Sequence, residues 1–270
     1  MPGAAVQVHA FVPADDERPR AGNIVDRCEG DAEAQTAVAQ YGSAKLRPVF
    51  ERLGWIIRPN EKPNDAVLRT ELITTLGRFG DPDVVAEAKR RYSTSDPSAT
   101  TGPLRTAILD VVAWQADSAT WDRLHSEAKE EKKPLVRQRL YALLGGSRDE
   151  TLARQALELS LTDEPGTTTS SQLVSAVAES HPDLAYDFAI ANREKVEAQV
   201  DVSSRSRYFP RLAGRSSNAA MVTKLEDYAQ RFMTPQSRKS ADVAIAAIKD
   251  RIRVRETRLK EVAAWFKEHH

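Results

Sequence analysis

Along most of this chain the apolar residues recur at intervals of three and four. Leu68, Leu72, Leu76 and Phe79 form one such series; Val222, Leu225, Tyr228 or Ala229, and Phe232 form another. That spacing gathers them on one face of a helix with 3.6 residues per turn. No strictly alternating run of useful length occurs, so the fold expected is all-α. Helical stretches are predicted from near Leu68, Leu104, Val136, Ser171 and Arg207. Short polar turns follow them, reading GDPD, ADSA, GSRDE, SHPD and SSNA. Each turn launches a second helix, near Val84, Thr120, Glu150, Leu184 and Ala219. With Asp83, Ala119, Asp149, Asp183 and Asn218 taken as equivalent, the unit is roughly 35 residues long, the length of a helix-turn-helix repeat. The architecture predicted is an α-solenoid of antiparallel helix pairs, a HEAT- or armadillo-like superhelix.

The punctuation agrees with the period. Asp81 is placed to accept hydrogen bonds from the free amides of the following helix. Pro82 occupies a first helical position, where a missing N–H costs nothing. His181-Pro182-Asp183 repeats the proline placement, and Thr234-Pro235 does so before the last helical region. The stretch DAEAQTAVAQYGSAKLRPVFERLG reads as a helix stopped at Gly54. The segments STSDPSATTGP (93–103) and TDEPGTTTSSQ (162–172) read as polar loops. Two divisions are expected: an irregular N-terminal arm over 1–30, with prolines at 2, 13 and 19, and a helical repeat domain over 31–270.

Composition narrows the function class. Lys plus Arg equals Asp plus Glu at 39 each, which removes the electrostatic reason to expect nucleic acid or an anionic membrane as partner. No apolar run approaches the ~18 residues that span a bilayer. The N-terminal segment lacks the basic and apolar regions of a signal peptide. Cys28 is the single cysteine, so neither an internal disulfide nor a Cys-rich zinc site is available. A soluble cytoplasmic protein is expected.

The chemistry that would mark an enzyme is missing from the sequence. The histidines are His9, His125, His181, His269 and His270, none four from another. A zinc hydrolase helix needs two imidazoles at that spacing. His125 reads as a surface or half-buried helix residue and His181 as a turn residue. Gly145-Gly146 has no strand before it and no G-K-[ST] after it, and reads as a helix cap. The candidate binding cluster lies in SSRSRYFPRLAGRSS. Arg207 and Arg211 are four apart on one helical face, Arg215 extends it by another turn, and Tyr208 stands among them. Such a group on a concave surface suits a carboxylate such as a peptide C-terminus; interhelix salt bridging is the structural alternative. The terminal stretch carries an apolar stripe of Ile245, Ile248, Ile252, Leu259, Val262 and Phe266, and is expected to close the stack rather than bind a membrane surface.

Leu53-Gly54-Trp55, then Leu68-Arg69, Gly77 to Gly80, and Glu87-Ala88 to Tyr92 follow one another in an order that resembles the C-terminal helical domain of zinc aminopeptidases of the aminopeptidase N and puromycin-sensitive type. Phe209 to Leu212, Tyr228 to Phe232, Ile248 to Ile252 and Leu259 to Phe266 continue the likeness, which runs over roughly 35–268. The resemblance implies a helical domain that walls a peptide chamber and contacts the distal end of the substrate. The G-x-M-E-N segment, the H-E-x-x-H helix and its downstream zinc glutamate are absent from these residues, so no activity of the chain alone and no cofactor is expected. Zinc would belong to a separate catalytic domain. The partners expected are a peptide or a catalytic aminopeptidase chain, in a split, truncated or stand-alone arrangement. A homo-oligomer, or an N-terminal arm folded back as a cap, would cover the face left by missing neighbours. A scaffold for proteins or peptides, unrelated to proteolysis, is the alternative.

Overall fold

The computed structural model describes residues 32–268, with side chains over 33–257. The N-terminal arm, Cys28, His269 and His270 lie outside these limits, as do the side chains of Leu259, Val262 and Phe266. Among the described residues there are fourteen helices and no strand. They are α1 (Ala32–Leu53), α2 (Pro63–Phe79), α3 (Pro82–Ser93), α4 (Pro97–Thr100), α5 (Arg105–Trp114), α6 (Ser118–Glu130), α7 (Pro134–Leu144), α8 (Glu150–Ser160), α9 (Thr167–Ala178), α10 (Pro182–Ala191), α11 (Arg193–Gln199), α12 (Arg205–Ala213), α13 (Ala219–Phe232) and α14 (Lys239–Glu268).

Their packing has one rule. The first helices of successive pairs, α2, α5, α7, α9, α12 and α14, each pack on the next. The second helices, α3, α6, α8, α10 and α13, each pack on the first helix of the following pair. The result is a two-layered, solenoid-like stack with one continuous core. Its interior includes Ile73 and Leu76 of α2, Ile108 and Val112 of α5, Tyr141 and Leu144 of α7, Val174 and Val177 of α9, Phe209 of α12 and Ile248 of α14. Burial of such side chains, each contributing about 1.5–3 kcal/mol, is the main favourable term holding the layers together. Helix α1 packs on α2, and α14 reaches back to touch α1, so the two ends of the stack meet.

Within the pairs, the second helices begin at defined caps. Asp81, Asp117, Asp149 and Asn218 each accept a hydrogen bond from a backbone amide in the first turn of the next helix. The equivalent positions are therefore Asp81, Asp117, Asp149, His181 and Asn218; Asp83, Ala119 and Asp183 each lie two residues further on, inside their helices. His181 occupies the same place without a side-chain cap; Pro182 supplies the start instead. Pro235 starts no helix: α14 begins at Lys239, after a turn in which Ser237 and Arg238 donate to the Thr234 carbonyl. The polar segment 93–103 contains the short helix α4, capped by Asp96.

Gly145 ends α7, but in ordinary right-handed geometry. What it supplies is closeness. A Cβ there would stand 2.9 Å from the Leu173 carbonyl oxygen and 3.0 Å from the Val177 nitrogen. The apolar stripe of α13 is rotated slightly from the expected one: Met221, Leu225 and Ala229 are buried, whereas Phe232 is 47% exposed. In α14 the expected stripe is buried at Ile245 and Ile248, and Ile252 packs against the core.

Candidate functional site

Each turn along one side of the stack is tied to the next by a hydrogen bond across the repeat. Gln115 Nε2 donates to the Gly77 carbonyl at 3.0 Å, and the Arg148 amide to the Trp114 carbonyl at 3.3 Å. His181 Nε2 meets the Ser147 carbonyl at 3.0 Å, and Asn218 Nδ2 donates to Asp183 at 2.9 Å. The contact with a carbonyl requires His181 to carry a proton on Nε2. This ladder holds the turns in register where they would otherwise be joined only by the packing of helix flanks.

Those registered turns line a cavity of about 780 Å³. Helix α1 crosses it at one edge, contributing Gln35 to Arg47, and α14 contributes Arg251. The fixing of α1 is explicit. Arg47 pairs with Asp81 at 2.7 Å and also with Asp83, so the α3 cap and the α1 guanidinium share one buried carboxylate. Gly42 lies against the ring of Phe79, where no Cβ would fit.

The charge of the lining is its main chemical property. Five arginines, Arg47, Arg78, Arg148, Arg215 and Arg251, face two carboxylates, Asp81 and Glu179. The chain as a whole carries no net charge, so the cavity concentrates cations that the composition conceals. Arg215 pairs with Glu179 at 2.6 Å. Arg78 lies over the Trp114 indole, 4.9 Å from its centroid. A recess walled by low-dielectric protein and dominated by guanidinium groups raises the local concentration of anions, and the planar fork of Arg suits carboxylates.

The sequence-nominated arginines are divided by the fold. Helix α12 stops at Ala213, so Arg215 lies beyond it and does not extend the Arg207–Arg211 face. Arg215 lines the cavity; Arg207 and Arg211 are exposed on α12 and are not among the lining residues. Tyr208 donates its hydroxyl to the Ser171 carbonyl at 2.6 Å, and burial pushes its ionisation well above the ordinary range. The residues that periodicity missed, Arg78 and Arg148, share only their place beside the turn of a unit, two units apart in the stack. That signal is readable once the turns are aligned.

A second polar cluster lies away from the cavity. Glu164, in the α8–α9 loop, receives His125 Nε2 at 2.5 Å, the Tyr141 hydroxyl at 3.0 Å and Lys129 at 3.3 Å. Arg137 donates to the carbonyls of Glu164 and Pro165. Burial of the Glu164 carboxyl, which works toward the neutral form, is outweighed by the bonds from His125, Tyr141 and Lys129, and its pKa is lowered. His125 is therefore half-buried and engaged in fastening a loop.

The order of the helices, the Leu-Gly-Trp corner bonded by Arg69 of α2 and the row of turns lining one cavity all fit the resemblance to the aminopeptidase helical domain. A family model described as the ERAP1-like C-terminal domain matches residues 19–252. The chain belongs to that family. The matched span opens before residue 35 and closes before residue 268, taking in part of the segment that precedes α1. An ERAP1-like C-terminal domain is the C-terminal domain of an aminopeptidase-type enzyme, so the assignment carries the helical domain and not a zinc-binding one. Among the described residues no helix is long and apolar enough to cross a membrane.

Proposed function

We propose that this ERAP1-like C-terminal domain walls a peptide chamber and holds the C-terminal carboxylate of a peptide in its arginine-lined cavity. The supporting observation is a recess of about 780 Å³ lined by five arginines, of which Arg47 and Arg215 are matched by Asp81, Asp83 and Glu179 while Arg78 and Arg148 have no carboxylate partner among the described residues. A guanidinium binds a carboxylate through two parallel N–H···O bonds, which gives orientation as well as affinity. The zinc chemistry of peptide cleavage would belong to a separate catalytic domain, for which this domain supplies one wall and a distal anchor. Arg215 is the member of the Arg207, Tyr208, Arg211 and Arg215 set that this reading retains in the cavity.

The test compares one fluorescently labelled decapeptide as free acid and as C-terminal amide, by anisotropy with the purified chain. Tighter binding of the acid by tenfold or more is expected, with the preference reduced in Arg215→Ala and unchanged when Arg207 and Arg211 are both alanine. Equal affinity for acid and amide would sink the reading. Loss of the preference only in the Arg207/Arg211 variant would move the site to the outer face of α12.

A further inference from the structure

The charges in the cavity do not all cancel. Arg47 is matched by Asp81 and Asp83, and Arg215 by Glu179. Arg78 and Arg148 are different: among the described residues neither guanidinium makes an ion pair or a hydrogen bond. They belong to different units of the stack and flank the same residue. Arg78 lies over the face of Trp114, and the Arg148 backbone amide bonds the Trp114 carbonyl. Both cations line one cavity, and a single carboxylate would leave one of them uncompensated.

We infer that the cavity takes a pair of carboxylates carried on one residue, as at the C-terminus of a peptide ending in Asp or Glu. The inference rests on the peptide-carboxylate reading and adds the class of terminal residue. Three features support an acidic last residue over an apolar one. Two unmatched guanidinium groups call for two negative charges. The large apolar side chains in the lining are Phe79 and Trp114, and the Trp114 face is already covered by Arg78. The two carboxylates in the lining, Asp81 and Glu179, are both neutralised by their own arginines and so do not repel a second anion. An α-carboxylate and a side-chain carboxylate separated by two or three carbons present two forks' worth of acceptors to Arg78 and Arg148, one to each.

The experiment uses the full 270-residue chain and four labelled decapeptides alike except at the end: terminal Asp, Glu, Leu, and Asp as the α-amide. The Asp and Glu free acids are expected to bind at least tenfold more tightly than Leu. The advantage should vanish in Arg148→Ala, whose side chain is exposed, and in Arg78→Gln. The variant that loses the arginine seating the α-carboxylate should also bind the Leu acid more weakly, whereas the other changes that affinity by less than about threefold. Far-ultraviolet circular dichroism of both variants confirms that the helices persist. Equal binding of Asp and Leu acids, both above the amide, would overturn the acidic preference and leave the carboxylate reading standing. Equal binding of acid and amide forms would remove both. Succinate at the peptide's own concentration should not displace it; if it does, the seat serves free dicarboxylates and the peptide assignment is wrong.

Discussion

The guanidinium of Arg69, fully buried in α2, donates from Nε to the carbonyl of Gly54 at 2.7 Å and reaches the Leu53 carbonyl from Nη2 at 3.3 Å. The same Nη2 pairs with Glu61 in the connector. Arg69 thus satisfies the carbonyls left open at the end of α1, where the helix dipole favours a cation. Gly54 turns the chain there with φ 62°. Trp55 then packs edge-on against Phe50 and under Arg91. The Leu-Gly-Trp corner and the Leu-Arg pair, separated in the sequence, are one structural joint.

Arg69→Ala is expected to destabilise the chain by about 3 kcal/mol or more, because it strands buried carbonyls and removes the partner of a carboxylate. Urea unfolding followed by circular dichroism measures this. A loss below about 1 kcal/mol would show that the joint is not a determinant of stability.

Gly145→Ala introduces a methyl group against the α9 backbone rather than a flexible side-chain tip. Relief requires α7 and α9 to separate, so a cost of about 1–3 kcal/mol is expected. Higher helix propensity of alanine acts in the opposite direction by up to ~1 kcal/mol. A Tm equal to or above that of the parent would refute the close-packing role.

Two caps of the same type differ in surroundings. Asp149 is exposed and caps α8 alone, whereas Asp81 is buried, caps α3 and accepts from Arg47 of α1. Asp149→Ala should cost about 1 kcal/mol. Asp81→Ala should cost more and also raise hydrogen exchange along α1, read by mass spectrometry. Equal losses with no change in α1 would separate the cap from the cavity wall.

Glu164 carries a pH dependence with a defined sign. Its folded pKa lies below the ordinary glutamate value, so its contribution is complete above about pH 4.5 and is lost as pH falls through the lowered folded value. Glu164→Gln should lower stability at pH 7 by about 1–2 kcal/mol and flatten the acid limb of the stability curve. An unchanged slope between pH 4.5 and 3 would mean that the carboxylate is not differentially stabilised in the folded chain.

Much of the fold was legible because helix formation and burial leave local marks. The three-and-four spacing, the caps at Asp81 and Asp149, and the stop at Gly54 depend on residues within a turn or two of one another. The alignment on Asp83, Ala119 and Asp183 falls two residues past the caps, because carboxylates stand on both sides of Pro82 at Asp81 and Asp83 and spacing alone does not choose between them. Short helices α4 and α11 left no readable period, since one or two turns carry too few apolar positions to establish one.

The sequence by itself therefore determined the helices, their pairing into a repeated unit and, through the order of its motifs, the family. It did not determine which arginines share a surface. Arg207 and Arg211 are neighbours on α12 by helical spacing, yet they lie outside the cavity. Arg78, Arg148 and Arg215 are far apart in the chain, yet they line it together. The physical reason is that a stack of helices converts equivalent positions of successive units into spatial neighbours, and the Gln115–Gly77, Arg148–Trp114 and His181–Ser147 bonds fix that register. Local periodicity sees one helix at a time; the charge of the cavity is a property of all the turns at once.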